Sequence, residues 1–79
     1  MKLHLQYFAL LREQRGLTEE VLQTDAATPT ALYEELCARH AFSLPADRVR
    51  AAVNGAFVPA DAVLRDGDRI VFIPPVAGG

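Results

Sequence analysis

A short apolar run that ends against two prolines constrains this chain most. It reads Ile70-Val71-Phe72-Ile73, then Pro74-Pro75, then Val76-Ala77-Gly78-Gly79. Ile70 to Ile73 are β-branched or aromatic, the composition of a buried strand. Neither proline carries the N–H that a sheet ladder needs, so pairing is expected to stop at Pro74. Two prolines in succession also hold the chain extended and aim the last four residues away from the body. The six residues from Pro74 to Gly79, fully extended, reach about 20 Å. Val76 and Ala77 are small and the two glycines have no Cβ, so such a tail enters a cleft too narrow for ordinary side chains. Its end is the bare carboxylate of Gly79, the group expected to do the work. The competing reading is a frayed terminus, because chain ends are often unordered and glycine is common in them. The tail is expected to be flexible beyond Pro75 in the free chain and to order on binding.

The chain has 79 residues, which makes one domain with no room for a second. A domain of this size buries only about 60% of its unfolded surface. It has little space for an enclosed active site and is better suited to presenting a surface or a tail. The 51% hydrophobic content marks a folded domain. A net charge of −2 argues against nucleic acid, which wants a basic face. No apolar run approaches the length of a membrane span, and the polar-interrupted start, Met1 to Gln6, is no signal-peptide core. One cysteine, Cys37, excludes an internal disulfide and fits a reducing cytoplasm.

In chain order, Leu3, Leu5 and Tyr7 alternate with Lys2, His4 and Gln6, the pattern of a strand with one buried face. Ala9 to Arg15 are good helix formers and Gly16 is a stop, which predicts a short helix. Glu19 to Thr24 reads as a second strand with Val21 inward. Thr28 is an N-cap and Pro29 sits at the first helical position, opening a main helix to about His40. Leu32, Tyr33, Leu36 and Cys37 form its apolar stripe. Ala41 to Asp47 is irregular. Arg50 to Val58 reads as two short strands about Asn54-Gly55, the favoured pair for a tight type I′ turn. Val63 and Leu64 are expected to pack back on the body. Asp66-Gly67-Asp68 is a turn, and Arg69 to Ile73 is the last strand. One helix laid across one sheet buries these faces economically.

Three segments carry a resemblance: Ala52-Val53-Asn54-Gly55, Leu64-Arg65-Asp66-Gly67-Asp68-Arg69-Ile70, and Phe72-Ile73-Pro74-Pro75-Val76-Ala77-Gly78-Gly79. With Tyr7-Phe8-Ala9 and Arg12-Glu13 they resemble the small, sulfur-carrier subunit of molybdopterin synthase, over nearly the whole chain. The resemblance implies an α+β, ubiquitin-like β-grasp fold: a mixed sheet of about five strands, one main helix packed across it, and a flexible C-terminal tail. The domain would then be residues 1–75 and the tail 76–79. It further implies that an E1-like adenylyltransferase uses ATP to adenylate Gly79. A sulfurtransferase or cysteine desulfurase supplies the sulfur that leaves a terminal thiocarboxylate. The tail, with Pro75, Val76, Ala77 and Gly78, inserts into the large synthase subunit and donates sulfur to cyclic pyranopterin monophosphate in molybdenum cofactor biosynthesis. The family's synthase is a heterotetramer. The carrier would bind no cofactor or metal of its own and would be the non-catalytic subunit, the acid–base groups lying on the large subunit. By the same likeness Phe8, Leu64 and Ile73 belong to the partner interface, although the family commonly has an aromatic where Ile73 stands. For each of the three, a plain core role is the alternative.

The remaining chemistry-bearing residues have bland readings. Cys37 on the helix stripe reads as a small buried hydrophobe. His4 and His40 are far apart in sequence, with no ligand partner at metal spacing. Asp66 and Asp68 read as turn formers. Lys2 is the sole lysine, which the sequence does not explain. Three other functions stay open: a carrier for thiamine synthesis or tRNA thiolation, a ubiquitin-like protein modifier joined through Gly79 to a lysine, and a binding module with an inert tail.

Overall fold

Two extended segments far apart in sequence form the centre of the sheet. In the computed structural model, which describes residues 1–75, β1 (Lys2–Tyr7) runs parallel to β5 (Arg69–Ile73), pairing Leu5 with Ile70 and Tyr7 with Phe72. β2 (Glu19–Gln23) flanks β1 antiparallel, and the hairpin of β3 (Arg50–Val53) and β4 (Ala56–Val58) flanks β5. The order β2-β1-β5-β3-β4 is a five-stranded mixed sheet. α1 (Ala9–Arg15) follows β1, α2 (Pro29–Arg39) follows β2, and a short 3-10 turn (Ala46–Arg48) leads into β3. This is the expected α+β, β-grasp architecture. The expected flexibility of residues 76–79 falls outside the described residues.

Local chemistry accounts for the boundaries. The Thr28 hydroxyl accepts from the Ala31 N–H at 3.2 Å, and Pro29 follows at the first turn of α2. Gly16 ends α1 in the left-handed region (φ 79°), where a side chain would be strained, and its N–H returns to the Arg12 carbonyl at 2.9 Å. Asn54 and Gly55 both take positive φ, 52° and 92°, as a type I′ hairpin requires.

The acidic turn is a clamp. The Lys2 N–H donates to Asp66 at 2.6 Å, and the Arg65 N–H and Asn54 side-chain amide donate to Asp68, each at 2.9 Å. The Arg69 N–H in turn donates to the Asn54 side-chain carbonyl at 3.0 Å. The Asn-Gly and Asp-Gly-Asp motifs thus interlock and tie the start of β1 to the start of β5. Both aspartates are used as turn and clamp acceptors.

The core lies between one face of the sheet and α2. Leu3, Leu5, Tyr7, Ile70 and Phe72 meet Leu32, Tyr33 and Leu36, with Leu11 of α1 closing one side. Phe42, from the irregular stretch, stacks on Tyr33 and meets Tyr7 edge-on, both at 5.8 Å between ring centres. Two sequence expectations are corrected. Val21 is 54% exposed, and Leu22 takes the inward place. The pairing of Leu3 with Leu22 decides this, because with a side-chain period of two the neighbour of an inward residue points out. Val63 is 75% exposed, whereas Leu64 is buried at 4%. Leu64 takes the inward place in this loop, where its N–H donates to the Ala27 carbonyl at 2.8 Å.

A partly buried ion pair sits at the sheet's edge. Glu20 accepts from the Tyr7 hydroxyl at 2.6 Å and from Arg15 Nε and a terminal guanidinium nitrogen at 2.8 and 3.0 Å. The Arg15 hydrogen bonds hold the Glu20 carboxyl below its ordinary value of 4.5, against the opposing effect of burial. Burial first, and Glu20 second, push the Tyr7 phenol well above its ordinary range. A depressed carboxyl contributes stability that is present above the unfolded-state value and is lost as pH falls through the folded-state value. Glu20→Gln is therefore expected to flatten the acid limb of stability below about pH 4.5. Urea midpoints taken from neutral to acid pH check this; parallel curves for the two proteins would contradict it.

Candidate functional site

The site is built where β1 and β5 end together. The parallel pairing brings both strands to the same edge of the sheet, with Tyr7 beside Phe72. One residue further on, the two chains part. β1 turns into α1 through Ala9, a non-glycine residue held at φ 49°, a conformation that costs about 1–2 kcal/mol. β5 stops at Ile73 and runs into Pro74 and Pro75, as the missing N–H groups require. The root of the tail is therefore Ile73-Pro74-Pro75. Pro75 is exposed; Val76, Ala77, Gly78 and Gly79, the remaining expected tail residues, lie outside the described residues.

Around this root the outer face of the sheet, opposite α2, is apolar. Tyr7 and Phe72 point into the core, so alternation turns Phe8 and Ile73 outward. Phe8 is 42% exposed and Ile73 half-buried. Ile73 pairs with Arg50, Val71 with Ala52, and Ala52 with Phe57. Phe57 is 55% exposed. Burying one such phenylalanine against a partner contributes about 1.5–3 kcal/mol.

The structure brings together two of the three expected interface residues, Phe8 and Ile73. The third, Leu64, is a core residue that also anchors its loop to Ala27, and it has no free surface to offer. An exposed aromatic on this face that the sequence reading did not single out is Phe57. A two-residue turn at Asn54-Gly55 already sets Phe57 opposite Ala52; what it cannot tell is which face of the sheet that pair occupies.

Nothing among the described residues resembles a catalytic centre. No group of three or more His, Cys, Asp or Glu there could hold a metal ion. His40 lies against Phe42 with 5.9 Å between ring centres. Cys37 is half-buried and packs on the core from α2. No helix among the described residues is long and apolar enough to cross a membrane. The arrangement can present a tail and be covered by another surface.

Residues 5–79 match the ThiS family. The chain belongs to the ThiS family. Two curated relatives bear the name molybdopterin synthase sulfur carrier subunit. The one from Escherichia coli is 38% identical over 92% of this chain and 94% of its own. The one from Haemophilus influenzae is 34% identical over 98% and 99%. Among solved structures, one described as molybdopterin converting factor, subunit 1, from Pyrococcus furiosus is 34% identical, with a TM-score of 0.77 over 96% of this chain and 99% of that one. A further ThiS-like fold, 21% identical with a TM-score of 0.69 over the full length of both chains, occurs in a protein–protein complex of subunits 1 and 2 of molybdopterin-converting factor from Helicobacter pylori. The ubiquitin-like β-grasp assignment of this ThiS-family chain thus rests on sequence and fold alike.

Proposed function

We propose that this chain is the sulfur-carrier subunit of a molybdopterin synthase. The observation that carries the reading is its end-to-end likeness to relatives of that name, 38% identical over 92% of the chain in one case. The apolar strip at the tail root supports it, since a partner that receives the tail must also cover the surface from which the tail leaves. In this reading an E1-like adenylyltransferase transfers AMP from ATP to the Gly79 carboxylate and releases pyrophosphate. A persulfide, carried by a sulfurtransferase or cysteine desulfurase, attacks the acyl carbon through its outer sulfur; a C–S bond forms and AMP leaves, giving an acyl disulfide. A thiol then reduces the S–S bond, which frees the terminus as a thiocarboxylate and leaves the two donor sulfurs joined as a disulfide. The large synthase subunit receives the tail, and the sulfur passes to cyclic pyranopterin monophosphate. The carrier supplies no acid or base. Its own contributions are a reactive terminus, a narrow approach and a surface that docks.

The test is intact mass after incubation with the cognate adenylyltransferase, ATP and a sulfur donor. The expected result is an ATP-dependent gain equal to sulfur replacing oxygen, mapped by fragmentation to Gly79. Oxidation of Met1 or Cys37 gives nearly the same nominal gain, so fragmentation is essential. Cys37→Ala is expected to load as well as the parent, because Cys37 is a packing residue. Absence of the gain with a competent adenylyltransferase would remove the carrier reading. Lysine-linked conjugates on a denaturing gel would put the modifier reading in its place.

A further inference from the structure

The apolar strip holds one cation. Arg50 opens β3 on the outer face, directly across from Ile73, and its guanidinium carbon stands 4.2 Å from the centre of the Phe57 ring. Among the described residues three ion pairs form, Arg15–Glu20, Arg39–Glu35 and Arg69–Glu19, and Arg50 takes part in none. Arg69, on the same face, is thus already answered by Glu19 at 3.4 Å. Lys2 lies at the far end of β1. Arg50 thus stands beside the tail root with no ion pair among the described residues.

Its setting is suited to recognition. The guanidinium carbon lies over the Phe57 ring, and among the described residues no hydrogen bond uses the Arg50 side chain, so its N–H groups are available to a planar acceptor. Stacking also restrains a long side chain in advance, so less freedom is lost when the edge is bound. A partner that covers Phe57 and Ile73 excludes water from Arg50 as well. A guanidinium stripped of water without an acceptor is costly, so a well-fitting partner must supply one. A carboxylate meets the fork with two parallel charge-assisted hydrogen bonds.

We propose that Arg50, stacked on Phe57, is the charged specificity contact of this face, and that the large synthase subunit places a carboxylate against it. This rests on the proposed carrier function. The occupant follows from geometry: Arg50 neighbours Ile73, where the tail begins, so a subunit that receives the tail sits over both.

The experiment is titration calorimetry of the full chain with its cognate large subunit, at about 50 mM and about 300 mM salt. Arg50→Met keeps much of the stem and is expected to weaken binding about 5- to 20-fold and to reduce the salt dependence. Arg50→Glu is expected to weaken it more than about 50-fold, because like charges then face each other. Arg50 is exposed, so both variants should melt with the parent, which thermal unfolding verifies. Arg50→Glu binding within about twofold of the parent overturns the proposal. So does a loss confined to the adenylation rate, which would assign the contact to the activating enzyme. If the parent chain itself does not bind the large subunit, the partner assignment fails, and the Arg50 contact with it. That outcome is distinct from a bound parent with an indifferent Arg50.

Discussion

Deleting Gly79 is expected to reduce ATP-dependent sulfur loading by at least about 100-fold while leaving the fold intact. The shortened chain still ends in a glycine carboxylate, so the chemical group survives. What changes is reach: one residue spans about 3.5 Å at full extension. In the proposed reaction the carboxyl would meet a phosphorus atom and then a sulfur nucleophile held by other proteins, and a displacement of about 1 Å from a productive geometry can cost about 100-fold. Adding one alanine after Gly79 should be as harmful, because it puts a Cβ where the approach is narrow and moves the carboxylate outward. Stability should not follow activity, since the buried core residues run from Leu3 to Phe72. Intact mass measures the first effect and urea unfolding the second. Loading at the parental rate by the shortened chain would mean that Gly79 is not the site of activation.

Phe72→Ala is expected to have the opposite signature, costing about 3–5 kcal/mol of stability. Phe72 is 2% exposed and lies on β5, which pairs with strands on both sides. Its ring meets Tyr33 of α2 edge-on at 5.3 Å, joining the sheet to the helix. Truncation removes the contacts of a large side chain and leaves a void beside a helix that is itself packed on the sheet. A domain of this length has about 4–12 kcal/mol in total, so the variant would be partly unfolded or close to it at 25 °C. The readout is the urea midpoint, with a slope near the parent's showing that the native state still unfolds in one step. Phe57→Ala is the informative contrast. Its ring is 55% exposed, so its loss should change stability by no more than about 0.5 kcal/mol and act on docking instead. Equal destabilisation by the two substitutions would contradict the placement of Phe57 on the open face.

Much of the site was legible because it consists of local chemistry. Pro74 and Pro75 end a strand wherever they occur, and the terminal glycines make a thin tail in any fold. Phe8 and Ile73 were reached through likeness to known carriers; Ile73 opens the tail root and Phe8 follows the end of β1 beside it. Leu64 and Phe57 were not separable in this way. Both are large apolar residues near a turn. Leu64 lies in the loop before β5 and is held inward by its N–H bond to the Ala27 carbonyl, whereas Phe57 faces out because β4 sets it across from Ala52 on the outer face. Val21 and Leu22 make the same point in β2: adjacent apolar residues in an edge strand, with the inward one chosen by pairing with Leu3.

The sequence by itself therefore determined what short-range forces control. It set the helix start at Thr28-Pro29, the stop at Gly16, the hairpin at Asn54-Gly55, the end of β5 and the character of the tail. Only the tertiary structure decided that β1 and β5 lie side by side and parallel, so that Phe8 and the tail root share one edge. It alone turned Phe57 out and laid Arg50 over it beside the tail root. The physical reason is that a side chain's face in a sheet follows strand register with a period of two. Register between distant strands is settled by the packing of the whole core, and no local pattern contains it.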